Sequence, residues 1–135
     1  MPNTKILIVD DDMGMRLQLT WSLPEYEVIT ADSRTHAIEL FNLHPPPLVT
    51  LDLGLPPDAD GTTEGFATLE AILKKAPHTK VVIVSGAEAS VNAEKAKSQG
   101  AYDYYPKPLE IARLKELIKK AFDDYQGDLD DSRNA

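Results

Sequence analysis

The stretch Ile6-Leu7-Ile8-Val9-Asp10-Asp11-Asp12 places four apolar residues directly before three aspartates. A short apolar run rich in β-branched residues predicts a strand that is buried on both faces, as in a parallel sheet. Runs of the same type recur at 48–51 and 81–84, which predicts three central strands. Weaker and more polar runs at 27–30 and 102–105 predict two edge strands.

Segments with helical periodicity lie between the predicted strands. The clearest is 111–125, whose apolar residues follow the three-and-four spacing of one helix face. A helix over 34–43 follows Ser33, a suitable capping residue, and further helices are predicted over 66–73 and 90–99. Strands that alternate with helices predict an α/β fold built from parallel β-α-β units.

The segment 13–23 departs from this helical pattern. Its apolar residues alternate strictly, which is typical of a strand. A strand of that length would be unusual, however, and most of its residues favour a helix, with Thr20 the sole β-branched residue. A helix is therefore predicted here, with Trp21 packed in the core.

The composition excludes several classes of protein. The chain has 135 residues, the usual size of one domain, and a net charge of −8. This acidity argues against direct contact with nucleic acid, which requires a basic surface. The chain has no cysteine, which excludes disulfides and thiolate metal sites. No signal-like or membrane-length apolar segment is found, so a cytoplasmic location without membrane contact is expected.

Polar residues follow the central strands and the last strand. The aspartates at 10–12 follow the first strand, Asp52 follows the third, Ser85-Gly86 ends the fourth, and Lys107-Pro108 follows the fifth. Because open parallel sheets bind ligands beyond the carboxyl ends of their strands, we expect these groups to share one site. Clustered carboxylates repel each other unless a cation lies between them, and their oxygens suit Mg²⁺. A lysine opposite them would bind a phosphoryl group.

Each of these features also has an ordinary structural explanation. An aspartate run after a strand is more often a helix cap than a metal site, a Ser-Gly pair is commonly a turn, and a lone lysine is commonly solvated. The combination at one edge of one sheet nevertheless favours a site.

Four motifs carry a resemblance to a known family. They are Ile6-Leu7-Ile8-Val9-Asp10-Asp11-Asp12, Leu51-Asp52-Leu53-Gly54-Leu55-Pro56, Val82-Ile83-Val84-Ser85-Gly86 and Tyr104-Tyr105-Pro106-Lys107-Pro108. Through these motifs residues 1–125 resemble the receiver domains of response regulators. The resemblance implies a five-stranded parallel sheet in the order 2-1-3-4-5 with helices on both faces, a flavodoxin-like and CheY-like three-layer sandwich.

The resemblance also implies phosphoacceptor chemistry. Asp52 would be the nucleophile that attacks a phosphohistidine of a partner sensor histidine kinase. Asp11, Asp52 and the main-chain carbonyl of Gly54 would hold Mg²⁺, the implied cofactor, with Asp10 acting mainly through water. Lys107 would pair with a phosphoryl oxygen. Such a domain is not an enzyme acting on other substrates, because it promotes only its own phosphorylation and dephosphorylation.

A conformational switch is implied by the same resemblance. Ser85 would donate a hydrogen bond to a second phosphoryl oxygen, and Tyr104 would turn inward into the space that Ser85 leaves. The Lys107–Pro108 bond would be cis. Gly54 and Ala87 occupy the positions that tune hydrolysis in the family and have no side chain that orients water, so a long-lived phosphoryl group is expected.

A narrower resemblance concerns the larger protein. The stretch 51–58 is similar to regulators associated with PEP-CTERM exopolysaccharide systems, in which a sigma-54-type ATPase and a DNA-binding helix-turn-helix follow the receiver. This implies a receiver over 1–125, with 126–135 as an acidic tail or the start of a linker to an output domain that this sequence lacks. The output would be transcriptional, and a homodimer is left open.

The loop at 57–64 is longer than in most receivers. It is interpreted as a tolerated surface insertion, with a subgroup-specific contact to a kinase or an attached domain as the alternative.

Three other functions are considered. Asp58 and Asp60 match the motif of haloacid-dehalogenase-type phosphatases, but Pro56-Pro57 precede them where that motif needs a central strand. A flavin-binding module is disfavoured, because three aspartates after the first strand would repel a phosphate. An interaction module that works without phosphorylation has the same fold, and the complete motif set argues against it.

Overall fold

The computed structural model describes residues 4–134 and contains one parallel sheet with helices on both faces. The strands are β1 (Thr4–Val9), β2 (Tyr26–Ala31), β3 (Leu48–Leu51), β4 (Lys80–Ser85) and β5 (Asp103–Pro106). The helices are α1 (Met13–Ser22), α2 (Arg34–Leu43), α3 (Thr63–Lys75), α4 (Ala89–Ser98) and α5 (Ile111–Asn134). The strand order is β2-β1-β3-β4-β5, which confirms the predicted α/β fold.

The sheet packs its side chains into two hydrophobic clusters, one on each face. On β1, Leu7 and Val9 belong to one cluster, whereas Ile6 and Ile8 belong to the other. All of them are at most 1% exposed, which explains the continuous apolar run that opens the sequence. Each such burial contributes about 1.5–3 kcal/mol, so the ends of this strand are held rigidly by its packing.

The segment that alternates in sequence is a helix, as predicted. The Asp12 side chain caps α1 by accepting a hydrogen bond of 2.9 Å from the Gly14 amide. The prediction for Trp21 was wrong, because this side chain is 79% exposed. Helical periodicity places Leu19 toward the core and Trp21 on the opposite face, and alternation in sequence cannot distinguish the two faces.

The ends of α2 and α4 follow the expected local rules. Ser33 caps α2 by accepting a hydrogen bond from the amide of His36. Gly100, just beyond α4, has a φ of 103°, a conformation that glycine adopts without strain. Ala96 is the one residue of α4 that is fully buried, so this helix has the weak apolar face that its sequence indicated.

The last helix extends beyond the predicted domain boundary. Residues 126–134 continue α5 as a helix instead of forming an irregular tail. The side chain of Asp128 pairs with Lys80 at the start of β4, and the hydroxyl of Tyr102 donates to Asp124. This part of α5 therefore lies against the amino ends of the strands, and a domain end at residue 125 stays a prediction.

Within residues 4–134, no helix is both long enough and apolar enough to cross a membrane.

Candidate functional site

The carboxyl edge of the sheet fixes two aspartates immediately beyond adjacent strands. Asp10 follows β1 and donates its amide to the carbonyl of Ala31 at 3.0 Å, while Asp52 follows β3 and donates its amide to Val9 at 2.9 Å. These bonds continue the parallel ladder by one residue, so both side chains start from backbone that the sheet holds in place. Asp10 and Asp52 are 2% and 8% exposed.

Lys107 bridges the two buried carboxylates. Its Nζ lies 3.0 Å from Asp10 Oδ2 and 3.4 Å from Asp52 Oδ2. The Lys107 amide donates to the carbonyl of Ser85 at 2.9 Å, and the Lys107–Pro108 bond is cis, as the sequence analysis expected. This hydrogen bond to the end of β4 therefore fixes the backbone position from which the Lys107 side chain extends.

Burial and charge act in opposite directions on this pair. Burial is the main cause that raises the pKa of Asp10, and the neighbouring Asp52 charge also raises it, whereas the Asp12 amide and Lys107 act in the opposite direction without reversing the shift. Burial lowers the pKa of Lys107, but its hydrogen bond and attraction to Asp10 and Asp52 outweigh burial, so the pKa of the lysine is raised. Two carboxylates thus share one ammonium, and the site carries excess negative charge.

The donor set at this edge fits a hard divalent cation. Carboxylate oxygens of Asp10, Asp11 and Asp52 all lie within 4.8 Å of one another. Asp10 is already engaged at both oxygens, by the Asp12 amide at 2.9 Å and by Lys107. Asp11 is exposed and has no hydrogen bond to a described residue, so its oxygens are available. Oxygen ligands of this kind match Mg²⁺, with Asp11 better placed than Asp10 for direct contact.

A series of hydrogen bonds leads from Asp52 toward β5. Ser85 Oγ donates to Asp52 Oδ1 at 2.9 Å and accepts from the Ala87 amide at 3.1 Å. The carbonyl of Ala87 accepts from the hydroxyl of Tyr104 at 2.8 Å. Tyr104 is 8% exposed, so its ring already points inward in this structure. The expected inward turn of Tyr104 on phosphorylation stays a prediction.

The long loop after β3 also reaches this site. A cavity of about 320 Å³ opens beside Asp52 and Lys107, and its other wall contains Ala59, Asp60 and Gly61. Residues 56–60 are exposed, as expected for a surface insertion, and the loop in addition lines the cavity, so its role stays a prediction. The loop also brings a further acidic residue, Asp60, to the lining of this cavity.

The phosphatase alternative finds no support in the fold. Asp58 lies in a turn of this loop, where its amide donates to Leu55 at 3.0 Å, and no strand leads into it. A nucleophile of that class requires a rigid strand end, which in this chain belongs to Asp52.

A family model described as the response regulator receiver domain matches residues 6–119, most of the chain. The chain belongs to the receiver domain family of response regulators. It is therefore a signalling domain of two-component systems rather than a general enzyme. The predicted family, the receiver domains of response regulators, is therefore confirmed.

Curated relatives of the receiver differ in length. An NtrX-like response regulator of Rickettsia felis is 32% identical over 123 residues, covering 90% of this chain and 25% of that protein. The chemotaxis protein CheY of Listeria monocytogenes is 31% identical over 120 residues, covering 87% of this chain and 97% of that protein. The chain thus matches a whole CheY but spans about a quarter of the NtrX-like relative.

Solved structures agree with the fold. NtrX from Brucella abortus, in complex with ADP, superposes with a TM-score of 0.90 at 30% identity, covering 98% of this chain and 30% of that one. The isolated receiver domain of the same protein gives 0.79 at 32% identity, covering 87% and 98% of the two chains. A CheY from Borrelia burgdorferi, described in a CheX-CheY-BeF3-Mg²⁺ complex, gives 0.81 at 25% identity, covering 90% of each chain.

The sequence analysis did not predict two contributors to the receiver's site. Arg16 of α1 donates from its guanidinium to the carbonyl of Asp10 at 2.8 Å and so supports the end of β1. Asp60 was considered only as part of a phosphatase motif. The length of its loop, which lies between β3 and α3 directly after Asp52, was the signal that could have identified it.

Proposed function

We propose that Asp52 accepts a phosphoryl group from a sensor histidine kinase in the presence of Mg²⁺. The observation that carries this proposal is the placement of one buried carboxylate, on a central strand, between the ammonium of Lys107 and the hydroxyl of Ser85. A carboxylate nucleophile forms an acyl phosphate, and the protein's task is mainly to align the groups and stabilise charge.

Each neighbouring group has a part in that reaction. Asp52 attacks phosphorus through one carboxylate oxygen, and the histidine nitrogen of the donor leaves with the electrons of the broken bond. Lys107 stabilises negative charge on a phosphoryl oxygen, and Ser85 donates a hydrogen bond to another. Asp11, Asp52 and the carbonyl of Gly54 would hold Mg²⁺, which supplies charge neutralisation and orientation when it is bound.

The excess of carboxylates supports a cation in this role. Asp10 has both oxygens engaged by the protein, so it would reach the ion through water, whereas Asp11 would bind it directly. A phosphoryl group brings further negative charge to a site that already has one lysine for two buried carboxylates. A divalent cation balances that charge.

A protein donor is supported by the surface next to the site. Met13, Leu17 and Trp21 are 65%, 48% and 79% exposed, and their spacing places them along one face of α1, directly after the aspartates. Such a stripe of large apolar side chains is typical of a protein contact. We propose that it contacts the kinase while the phosphoryl group is transferred.

The output of the receiver is also a proposal. Because the chain spans about a quarter of its NtrX-like relative, we propose that it acts in a longer regulator with a transcriptional output. The narrower resemblance at 51–58 favours a sigma-54-type ATPase with a helix-turn-helix as that output. In such a regulator α5, which continues as a helix beyond residue 125, would lead toward the output domain, and a homodimer is left open.

Phosphorylation by acetyl phosphate in the presence of Mg²⁺ tests the assignment. Intact-mass spectrometry should detect one added phosphoryl group on the wild type and none on Asp52→Asn. Asp58→Asn is the matched control, because it removes the same charge from a loop residue outside the cavity. If Asp52→Asn is labelled as fast as the wild type, the proposal is wrong.

A further inference from the structure

The loop after β3 is a closed and internally bonded structure. The Asp58 amide donates to Leu55 and the Gly61 amide donates to Asp58, each at 3.0 Å, which forms two successive turns. At the end of the loop, the Gly65 amide donates to the Leu53 carbonyl at 3.1 Å. The loop therefore starts and ends at the same point of the sheet edge, and its tip has a defined place.

Two glycines allow the loop to fold back on the strand that carries the nucleophile. A Cβ on Gly54 would lie 2.4 Å from the Ala59 carbonyl oxygen, and a Cβ on Gly65 would lie 2.3 Å from the Leu53 Cα. No side chain fits at either contact, because the obstacle is backbone in both cases. The tip of the loop thus occupies the space that a side chain at position 54 would need.

Asp60 is the polar side chain that this arrangement brings to the cavity wall. Its neighbours in that wall, Ala59 and Gly61, have no polar side-chain group. Asp60 is exposed and forms no ion pair or hydrogen bond with any other described residue, so its carboxylate is not engaged by the protein. Asp52 is buried and Asp60 is exposed, so Asp60 is the one of these two cavity-lining aspartates that is in contact with bulk water.

We propose that Asp60 positions the water molecule that hydrolyses the phosphoryl group on Asp52, and that the long loop thereby sets the lifetime of the phosphorylated state. This inference rests on the proposed function of Asp52. It replaces the expectation that the phosphoryl group persists because positions 54 and 87 have no suitable side chain.

The reaction balances with water as the sole co-reactant. The Asp60 carboxylate accepts a hydrogen bond from water, and the water oxygen attacks phosphorus on the side away from Asp52. The bond between phosphorus and the Asp52 oxygen breaks, and its electron pair restores the Asp52 carboxylate. The water proton passes to Asp60 and then to solvent, and inorganic phosphate leaves. Asp11 has a different task, because it is one of the residues assigned to the cation.

The decay of the phosphorylated protein tests the proposal. Wild type, Asp60→Asn, Asp60→Glu and Asp58→Asn are phosphorylated with acetyl phosphate and Mg²⁺, the donor is removed, and the labelled fraction is followed by intact mass. We expect Asp60→Asn to lengthen the half-life by about tenfold, less than the roughly hundredfold or more of a full general base, because the asparagine oxygen still accepts a hydrogen bond from water. Asp60→Glu should restore part of the wild-type rate, and Asp58→Asn should decay like the wild type.

Binding of Mg²⁺, measured by calorimetry on the unphosphorylated proteins, separates positioning of water from metal coordination. The proposal predicts the same Mg²⁺ affinity for Asp60→Asn and the wild type. It is overturned if the half-life of Asp60→Asn is unchanged or shorter, or if the Mg²⁺ affinity and the rate of phosphorylation fall together. A wild type that is never labelled on Asp52 contradicts the proposed function itself, whereas normal labelling with unchanged decay contradicts this inference alone.

Discussion

The sheet has a lysine–carboxylate pair at each end, and burial makes them differ. At the carboxyl edge, the side chains of Lys107 and Asp10 are 22% and 3% exposed. At the amino edge, those of Lys80 and Asp128 are 17% and 43% exposed. The pKa of Asp10 is raised, chiefly by burial. The pKa of Asp128 is lowered, chiefly by the hydrogen bond that Asp128 accepts from Lys80.

The difference indicates what each pair does for the protein. A carboxylate whose pKa is raised by burial is less stable in its charged form than it would be in water, which is characteristic of a functional site. The exposed carboxylate is stabilised in its charged form by its partner and attaches the end of α5 to the strand. Identical residue types therefore form a buried pair at the candidate site and an exposed pair that attaches α5 at the other end of the strands.

Replacement of the lysine in each pair should show the largest difference between the two ends of the strands. Lys107→Met leaves two buried carboxylates without a counter-charge, and we expect a loss of about 3 kcal/mol in the free energy of unfolding without Mg²⁺. Lys80→Met also loses a cation–π contact, with Nζ 5.8 Å from the centre of the Tyr102 ring, yet its partner carboxylate stays solvated. We therefore expect a much smaller loss at the amino edge.

Urea unfolding of both variants in the absence of Mg²⁺ measures this difference. Equal losses would mean that burial does not distinguish the two pairs, and the comparison would then be wrong. Lys107→Met should in addition lose phosphorylation by acetyl phosphate, whereas Lys80→Met should retain it.

Glycine replacement sharpens the comparison at a smaller scale. Gly54→Ala forces a methyl group against the Ala59 carbonyl, and we expect a loss of about 1–3 kcal/mol, as for other overpacked sites. Gly127 lies within α5 beside Asp128, and a Cβ there would meet nothing within 4 Å. Gly127→Ala should stabilise the protein by about 0.5–1 kcal/mol, because alanine favours a helix.

The matched pair of alanine variants is again compared by urea unfolding. A Gly54→Ala protein as stable as the wild type would mean that the loop moves aside easily, which would weaken the argument for a fixed Asp60. The clash also makes Gly54→Asn unsuitable as a test of water orientation, since the substitution would displace the loop before it could act on water.

The sequence predicted those parts of the molecule that depend on local pattern. The runs at 48–51 and 34–43 correspond to β3 and α2 as the structure has them, and the strand-end residues Asp52 and Lys107 meet as the fold requires. Local pattern could not predict contacts between distant segments. Whether Trp21 faces solvent and whether Asp128 reaches Lys80 depend on the packing of whole elements.

The position of the loop beside the site was not predicted, for a related reason. Its length was visible in the sequence, but its position over Gly54 results from a close approach of two backbones that no periodicity indicates. The loop is exposed at residues 56–60, as loops usually are, but the absence of a side chain at Gly54 lets its backbone also approach the site.

The smallest expected effect is the pH dependence of the two carboxylates, which should have opposite signs. The pKa of Asp10 is raised above its ordinary value of 3.8, so the folded state binds the proton more tightly than the unfolded state. Stability therefore falls as pH rises through the interval between those two values, and Asp10→Asn should remove that fall. The lowered pKa of Asp128 does the reverse, because its contribution is present above 3.8 and is lost as pH falls through the folded value.

Unfolding by urea between about pH 3 and about pH 7, without Mg²⁺, measures both effects as differences from the wild type. As pH rises, the free energy of unfolding of Asp10→Asn should increase relative to that of the wild type, and that of Asp128→Asn should decrease relative to it. Added salt should diminish the difference at Asp128 much more than that at Asp10, because exposed charges are screened and buried ones are not. A raised pKa and a lowered pKa give opposite slopes of stability against pH. If both differences change in the same direction with pH, the pKa values of Asp10 and Asp128 are therefore not shifted in opposite directions.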